Sequence, residues 1–276
     1  MLRYDLHCHS THSDGLLTPR ELVRRSAQRG VDVLALTDHD ELSGIAEAQE
    51  EAALAQLRLI PGAELSVSWR SVTLHVLGLR VDPHCAALRS GLATIRAGRL
   101  ARARRMADAL AAAGIPGAYE GALRLVTSER LISRTHFARF LVEAGHARST
   151  KDVFQRYLTP GKPGYVEHAW AGLAQAISWI HAAGGQAVLA HPGRYPVRPG
   201  EMQELLAEFR AAGGEGIEVQ SPSHSATQVA EFARQARAFG LAASSGSDYH
   251  GPGESSVDLG GMPPLPAGVI PVWQDW

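Results

Sequence analysis

Short apolar runs recur along the chain, each set off from the next by polar or helix-patterned residues. Tyr4–His9, Val33–Asp38, Leu59–Val67, Val72–Gly78, Ala187–His191, Gly216–Gln220 and Ala242–Asp248 read as strands. Several are apolar at nearly every position, as expected of strands covered on both faces. The intervening stretches read as helices. Thr18 precedes Pro19 and Glu21, the order of an N-cap, a proline at the first helical position and a capping-box glutamate, and Gly30 marks the stop. Ser43–Leu57 is a second helix, and Gly184-Gly185 and Gly213-Gly214 punctuate later ones. This alternation predicts a parallel sheet. Seven strands with polar residues gathered at their C-terminal ends predict an irregular barrel.

The alternation breaks between residues 92 and 166. Leu92, Ile95, Ala103, Met106 and Leu110 keep helical spacing, and Ser133–Ala144 and Thr150–Leu158 continue the helical pattern. Two units follow: a barrel from 1–91 and 167–276, and a helical insertion over 92–166 that covers the site. Pro160-Gly161-Lys162-Pro163-Gly164 is the loop returning to the barrel. The Pro- and Gly-rich tail from Gly260 to Trp276 reads as a segment wrapping the surface.

Composition narrows the function classes. With 276 residues, 45% of them apolar and 20% charged, the chain is an ordinary globular protein. A net charge of -1 gives no global attraction to nucleic acid or a membrane surface, so anion binding has to come from local arginines. Two cysteines, Cys8 and Cys85, are too few for a secreted disulfide framework. The start carries no signal-peptide core, and no apolar run is long enough to span a bilayer. A cytoplasmic protein with no membrane association and no obligate protein partner is the expectation.

The strand ends hold the candidate chemistry. His7, His9, Asp14, His39, Glu64, His75, His191, Asp248 and His250 use six of the thirteen histidines and three carboxylates. In His7-Cys8-His9 the two-residue period of a strand points both imidazoles to one face and turns Cys8 away as a buried small apolar residue. Asp14 sits in a turn that returns a carboxylate over that face, or caps the turn itself. Glu64 lies in an apolar strand, where a carboxylate is costly unless paired or metal-bound. Asp38 and Asp40, flanking His39, orient imidazoles or cap local structure. A multinuclear metal site satisfies all nine residues at once, and mixed imidazole and carboxylate donors suit manganese, zinc, iron or magnesium.

Asp5-Leu6-His7-Cys8-His9-Ser10, His12-Ser13-Asp14-Gly15, Thr37-Asp38-His39-Asp40, Gly62-Ala63-Glu64, His75, Ala190-His191-Pro192-Gly193 and Gly246-Ser247-Asp248-Tyr249-His250 together resemble the PHP (polymerase and histidinol phosphatase) family of the amidohydrolase superfamily. The resemblance implies an α/β fold, a distorted (β/α)7 barrel, here with a helical insertion domain. It implies two or three divalent metal ions, manganese foremost. His7, His9, Glu64 and Asp248 would hold one, Glu64, His75 and His191 a second, and Asp14, His39 and His250 a third.

Leu131–Arg139, Pro160–Pro163, His191–Arg194 and Ile217–His224 resemble a subgroup that includes 3',5'-nucleotide bisphosphate phosphatases and 5'-3' exoribonucleases. Thr135 and Gln220 depart from it where proline and tyrosine are expected. The resemblance implies a metal-dependent phosphoesterase that removes the 3'-phosphate of a nucleoside 3',5'-bisphosphate, pAp to AMP and phosphate, by in-line attack of an ion-activated water. A 5'-3' exoribonuclease on short 5'-phosphorylated RNA, a histidinol phosphate phosphatase and a non-catalytic PHP module are the alternatives. Arg134, His136, Lys162, Arg194, Ser221 and His224 are the expected substrate contacts, with Arg194 and His224 also placed in catalysis and His224 as a candidate proton donor. Arg96, Arg99, Arg102, Arg104 and Arg105 form a basic run that reads as a solvated helix face or as a guide for a polyanion.

Overall fold

A computed structural model describes residues 2–276. The chain runs β1 (Tyr4–Asp5), α1 (Pro19–Gln28), β2 (Val33–Leu36), α2 (Ile45–Ala55), β3 (Arg58–Trp69) and β4 (Val72–Leu79). The helices α3 (Ala86–Ala112), α4 (Ala118–Leu123), α5 (Arg134–Glu143) and α6 (Thr150–Val153) follow. Then come β5 (Ala171–Gly172), α7 (Leu173–Ala182), β6 (Gln186–Leu189), α8 (Pro199–Ala211), β7 (Gly216–Gln220), α9 (Ala226–Phe239) and β8 (Ala242–Ser245). Every strand expected from the pattern forms. The capping box at Thr18 and Glu21 starts α1, and Gly30 follows that helix at φ 74°, the left-handed region open to glycine.

The sheet order is β1-β2-β3-β4-β6-β7-β8, with the two-residue β5 paired to β3. The Leu6 N–H donates to Ser245 O at 3.0 Å and Cys8 bridges Tyr249, which brings β8 beside β1 and nearly closes the barrel. One expectation fails. The sheet is not wholly parallel, because β4 runs antiparallel to both β3 and β6. Only Arg70 and Ser71 separate β3 from β4, too few for a crossover, so the chain turns back in a hairpin. That reversal carries His75 into the site: it pairs with Ser66 of β3, and its carbonyl accepts from Ala190 N–H at 3.1 Å, beside His191.

Alternation along the strands separates two apolar cores. Val33, Ala35, Ile60, Leu77, Leu79 and Val188 fill the interior of the barrel, while Leu34, Leu36, Leu65, Val76 and Leu189 pack outward under the helices. The tail does more than wrap the surface. Val272 is buried in the interior core, Trp273 stacks on Tyr4 at 4.3 Å, and the Ala243 N–H donates to Ile270 O.

A third core joins the inserted helices through Met106, Leu110, Phe137, Leu141, Val153 and Leu158. The 27-residue α3, about 40 Å long at 1.5 Å per residue, belongs to both bodies. Leu88 and Leu92 pack on the barrel while Ala103, Met106 and Leu110 pack in the helical core, so a boundary at residue 92 falls inside a continuous helix.

Candidate functional site

His7 and His9 lie just past β1, His39 past β2, and Asp248 and His250 past β8. Glu64 and His75 sit within β3 and β4. Glycine permits the close approach of these loops. A Cβ at Gly15 would collide with His9 O, and one at Gly246 would collide with the His7 Cβ. His191, Asp40 and Asp248 hold positive φ (26°, 53° and 46°), backbone strain that the surrounding contacts must hold in place.

All nine histidines and carboxylates singled out in the sequence converge. His7 Nε2 and His9 Nε2 are 3.2 Å apart. Glu64 Oε2 lies 3.3 Å from each, and Asp248 Oδ1 lies 3.4 and 3.2 Å from them. His7 Nε2, His9 Nε2 and Asp248 Oδ1 form a triangle with edges of 3.2–3.4 Å, whose corners can all lie about 2.0 Å from one divalent ion, its bonding distance to nitrogen or oxygen. Glu64 Oε1 faces His75 Nδ1 and His191 Nε2, each at 2.9 Å. Asp14 Oδ1 faces His250 Nε2 at 3.4 Å and His39 Nε2 at 3.8 Å, with His9 also within reach.

The donor set fits metal ions on an observation independent of residue type. Asp14 Oδ1 and Glu64 Oε2 are buried and make no aligned hydrogen bond, although His39 Nδ1 is 3.0 Å from Glu64 Oε2. Buried polar atoms without partners are rare and costly, and a shared cation removes the cost. Burial works to protonate all three carboxyls. The surrounding histidines, and Arg194 beside Asp248, nevertheless hold each well below the usual carboxylate range. Burial drives His9 down to about 3 and His75 down to about 4, while Asp14 and Asp248 lift His250 against burial to about 9.

A further set of groups orients the donors. His7 Nδ1 donates to Glu218 Oε1 at 2.8 Å, and Glu218 Oε2 accepts from His191 N–H at 2.6 Å. This carboxylate fixes the tautomer that leaves His7 Nε2 free to ligate. Asp248 Oδ2 pairs with Arg194, leaving Oδ1 toward the cluster. Asp38 accepts from Ser10 and Ser13, and Asp40 from Ser66 and Arg99, so both tie loops together, and Asp38 reaches an imidazole only through Ser13, whose Oγ lies 3.4 Å from His9 Nδ1. Cys8 is buried, with its thiol donating to Ala35 O, as its position on the strand implied.

The cluster forms one wall of a cavity of about 500 Å³, within the range of small-molecule sites. Arg99, Arg102, Arg134, Arg194, Phe154 and Trp170 line other parts of it. Arg134 and Arg194 stand where the sequence placed them. Four expected contacts do not. Lys162 is exposed and His136 is buried, and neither lines the cavity. His136 Nδ1 instead accepts from Ser133 N–H at 3.0 Å, completing the α5 cap. Ser221 faces Ser223, and Pro222 is the lining residue of that loop. His224 does not line the cavity either. Its Nδ1 donates to Val219 O at 3.0 Å and its Nε2 accepts from Gly193 N–H at 3.1 Å, so both ring nitrogens are spent on backbone.

Arg99, Arg102 and Trp170 were not singled out as site residues in the sequence. Arg99 and Arg102 are buried, each guanidinium lies within 5.5 Å of the Trp170 ring, and the Trp170 indole N–H is buried without a partner. Their signal was present. Counted from Leu92 and Ile95, positions 99, 102 and 106 continue the buried stripe of α3, so two arginines occupy positions where apolar residues belong. Glu218 carried the same signal as Glu64, a single carboxylate in an apolar strand.

Residues 5–222 match the PHP domain family. The chain belongs to the PHP family. This PHP chain is 50% identical over 275 residues to the 3',5'-nucleoside bisphosphate phosphatase of Chromobacterium violaceum, covering 100% of this chain and 96% of the relative. It is 46% identical over 275 residues to the 5'-3' exoribonuclease Rnm of Salmonella typhimurium, covering 99% and 93%. Its PHP barrel superposes with a TM-score of 0.96 on an amidohydrolase from Chromobacterium violaceum solved with bound sulfate and no metal, at 51% identity and covering 99% and 95% of the two chains. A protein from Bifidobacterium adolescentis described as a metal-dependent phosphoesterase superposes with a TM-score of 0.84 at 29% identity, covering 98% and 93%.

Proposed function

We propose that this PHP-family hydrolase removes the 3'-phosphate from nucleoside 3',5'-bisphosphates, turning pAp into AMP and phosphate. Arg102 and Arg134 carry the reading. Both line the cavity beside Arg99, and among the described residues neither has a carboxylate partner within 4.0 Å. Burial, then the neighbouring charges of Arg134 and Arg99, pushes Arg102 down to about 9. Crowded cations without counter-charges call for an anion from outside. One phosphate belongs at the histidine and carboxylate wall and a second at the arginines, which is the spacing problem a nucleoside bisphosphate solves.

His7, His9, Glu64 and Asp248 hold one ion in this reading, Glu64, His75 and His191 a second, and Asp14, His39 and His250 a third, with manganese the first choice. Bound there, divalent ions supply charge neutralisation and an activated water. The chain's own residues do the rest. Arg194, fixed by Asp248, is placed to steady a phosphate oxygen beside the cluster. Arg99, Arg102 and Arg134 hold the 5'-phosphate, and the helical insertion over 92–166 covers the nucleoside and excludes water. Water adds to phosphorus as the bond to the 3'-oxygen breaks, and that oxygen leaves with a proton.

The 5'-3' exoribonuclease reading shares every one of these contacts. An RNA with a free 5'-phosphate presents the same 3'-ester, with the next nucleotide in place of a proton, and a relative at 46% identity bears that name. The cytoplasm is the compartment we assign, supported by two free cysteines. Among the described residues no helix is long and apolar enough to cross a membrane.

The test is to incubate manganese-loaded protein with pAp, AMP, histidinol phosphate and 5'-phosphorylated oligonucleotides, following phosphate and mononucleotide release. Rapid phosphate release from pAp with AMP untouched supports the phosphatase. Comparable mononucleotide release from oligonucleotides transfers the reading to the nuclease, and turnover of histidinol phosphate alone removes both.

A further inference from the structure

The inserted helices grip the loops of one part of the donor cluster, and reach the rest only where Arg99 donates to Ser66 Oγ of β3 at 2.8 Å. Ser133, the N-cap of α5, donates through Oγ to Asp14 Oδ2 at 3.0 Å, which leaves Asp14 Oδ1 as the free, buried oxygen facing His39 and His250. Arg139, nearly two turns further along α5, donates to Asp14 O at 2.6 Å and forms a two-pronged pair with Glu254 at 2.8 and 2.7 Å. Glu254 lies in the turn whose Ser255 Oγ accepts from His250 N–H at 2.7 Å. On the third side, Arg99 of α3 pairs with Asp40, the residue after His39, and Arg96 donates to Asp40 O at 2.6 Å. All three loops that present Asp14, His39 and His250 are therefore tied to α3 or α5.

The other donors are held from within the barrel. His7 and His191 lean on Glu218 of β7, Asp248 leans on Arg194, and Glu64 and His75 are strand residues. None of these ties involves the inserted helices.

We propose that α3 and α5 build one of the metal sites: the Asp14–His39–His250 group owes its affinity to Ser133, Arg139 and Arg99, and the remaining groups do not depend on Ser133 or Arg139. The proposal rests on the metal-dependent reading above. Ser133 and Arg139 are positioning residues, acting on the ion through Asp14 and, by way of Glu254, through the His250 loop. Loss of such an orienting partner typically costs about 10–100-fold in metal affinity. The arrangement also couples the two halves of the cavity, because Arg99 both holds the His39 loop and lines the arginine wall.

The experiment titrates Mn2+ into the chelator-stripped full chain and reads free Mn2+ by electron paramagnetic resonance, with circular dichroism melts as a check on folding. Ser133→Ala and Arg139→Met each weaken one class of Mn2+ by about 10–100-fold and leave the other classes at wild-type affinity. Ser133→Thr, which keeps the hydroxyl, restores that class. Glu218→Gln weakens a different class, and the Ser133→Ala/Glu218→Gln double variant weakens both. A Ser133→Ala isotherm superimposed on that of the wild type, or equal weakening of every class, overturns the proposal while leaving the metal-dependent reading standing. If Arg139→Met fails to fold, the Ser133→Ala and Ser133→Thr pair decides alone. Absence of any bound Mn2+ in the wild type removes the metal-dependent reading itself.

Discussion

Replacing Glu218 by glutamine is the sharpest probe of how the cluster is built. The side chain is fully buried and uses both oxygens, one for His7 Nδ1–H at 2.8 Å and one for His191 N–H at 2.6 Å. An amide offers one oxygen and one NH2, so one of the two donors must face another donor. A lost charge-assisted hydrogen bond is worth about 1.5–3 kcal/mol, and an unpaired buried donor adds about 1–3 kcal/mol. The backbone N–H of His191 cannot change, but His7 can escape by moving its proton to Nε2. That nitrogen lies 3.3 Å from Glu64 and 3.4 Å from Asp248, so the proton would occupy the place of an ion ligand. Relief at Glu218 is thus obtained by disabling a ligand. Glu218→Gln should fold, bind Mn2+ about 10–100-fold more weakly in one class, and turn over pAp correspondingly less at limiting metal. Equilibrium Mn2+ titration with a melt of the stripped protein measures both. Affinity within twofold of the wild type in every class would refute the tautomer argument.

Arg134→Ala should cost about 10–150-fold in kcat/KM for pAp, the equivalent of one charge-assisted hydrogen bond, and less than threefold for a phenyl phosphate ester; equal losses on both substrates would sink the 5'-phosphate clamp. His224→Gln should lower kcat by less than tenfold and leave the pH profile unchanged, because both imidazole nitrogens already serve backbone groups; a loss near a thousandfold would return the proton-donor role to it. Removing metal with a chelator should abolish turnover and lower the melting temperature, with Mn2+ restoring both, and activity that survives full chelation would contradict the metal-dependent reading. Burial, which outweighs the pull of Asp14, drives His136 down to about 4. Its folded pKa is below the unfolded value, so its stabilising effect is complete above pH 6.5 and is lost as pH falls toward 4. Urea melts across that window should show a steeper acid loss in the wild type than in His136→Gln, and parallel curves would count against it.

Local pattern carried most of the fold. The apolar runs placed seven strands because a strand covered on both faces must be apolar at nearly every position, and the Thr18–Glu21 box placed α1 because capping is a contact between near neighbours in sequence. All nine candidate ligands were legible because polar residues at strand ends have few other uses. The direction of β4 was readable in principle from its two-residue link to β3, but strand-helix alternation suggested otherwise. What side chains do across long sequence separations could not be read. His224 was credited with proton transfer on the strength of residue type, and only the tertiary structure shows its nitrogens satisfied by Val219 and Gly193. Arg99 and Arg102 read as part of a solvated face or of a guide for a polyanion, and only packing of α3 against both bodies buries them in the cavity wall.

The sequence by itself therefore determined the candidate donor inventory and the barrel that gathers it, since both follow from residue type and short-range periodicity. The tertiary structure alone decided which oxygen of Asp14 is free, which tautomer His7 adopts and which arginines lack a counter-charge. Those are properties of contacts between residues far apart in the chain, and no local pattern encodes them.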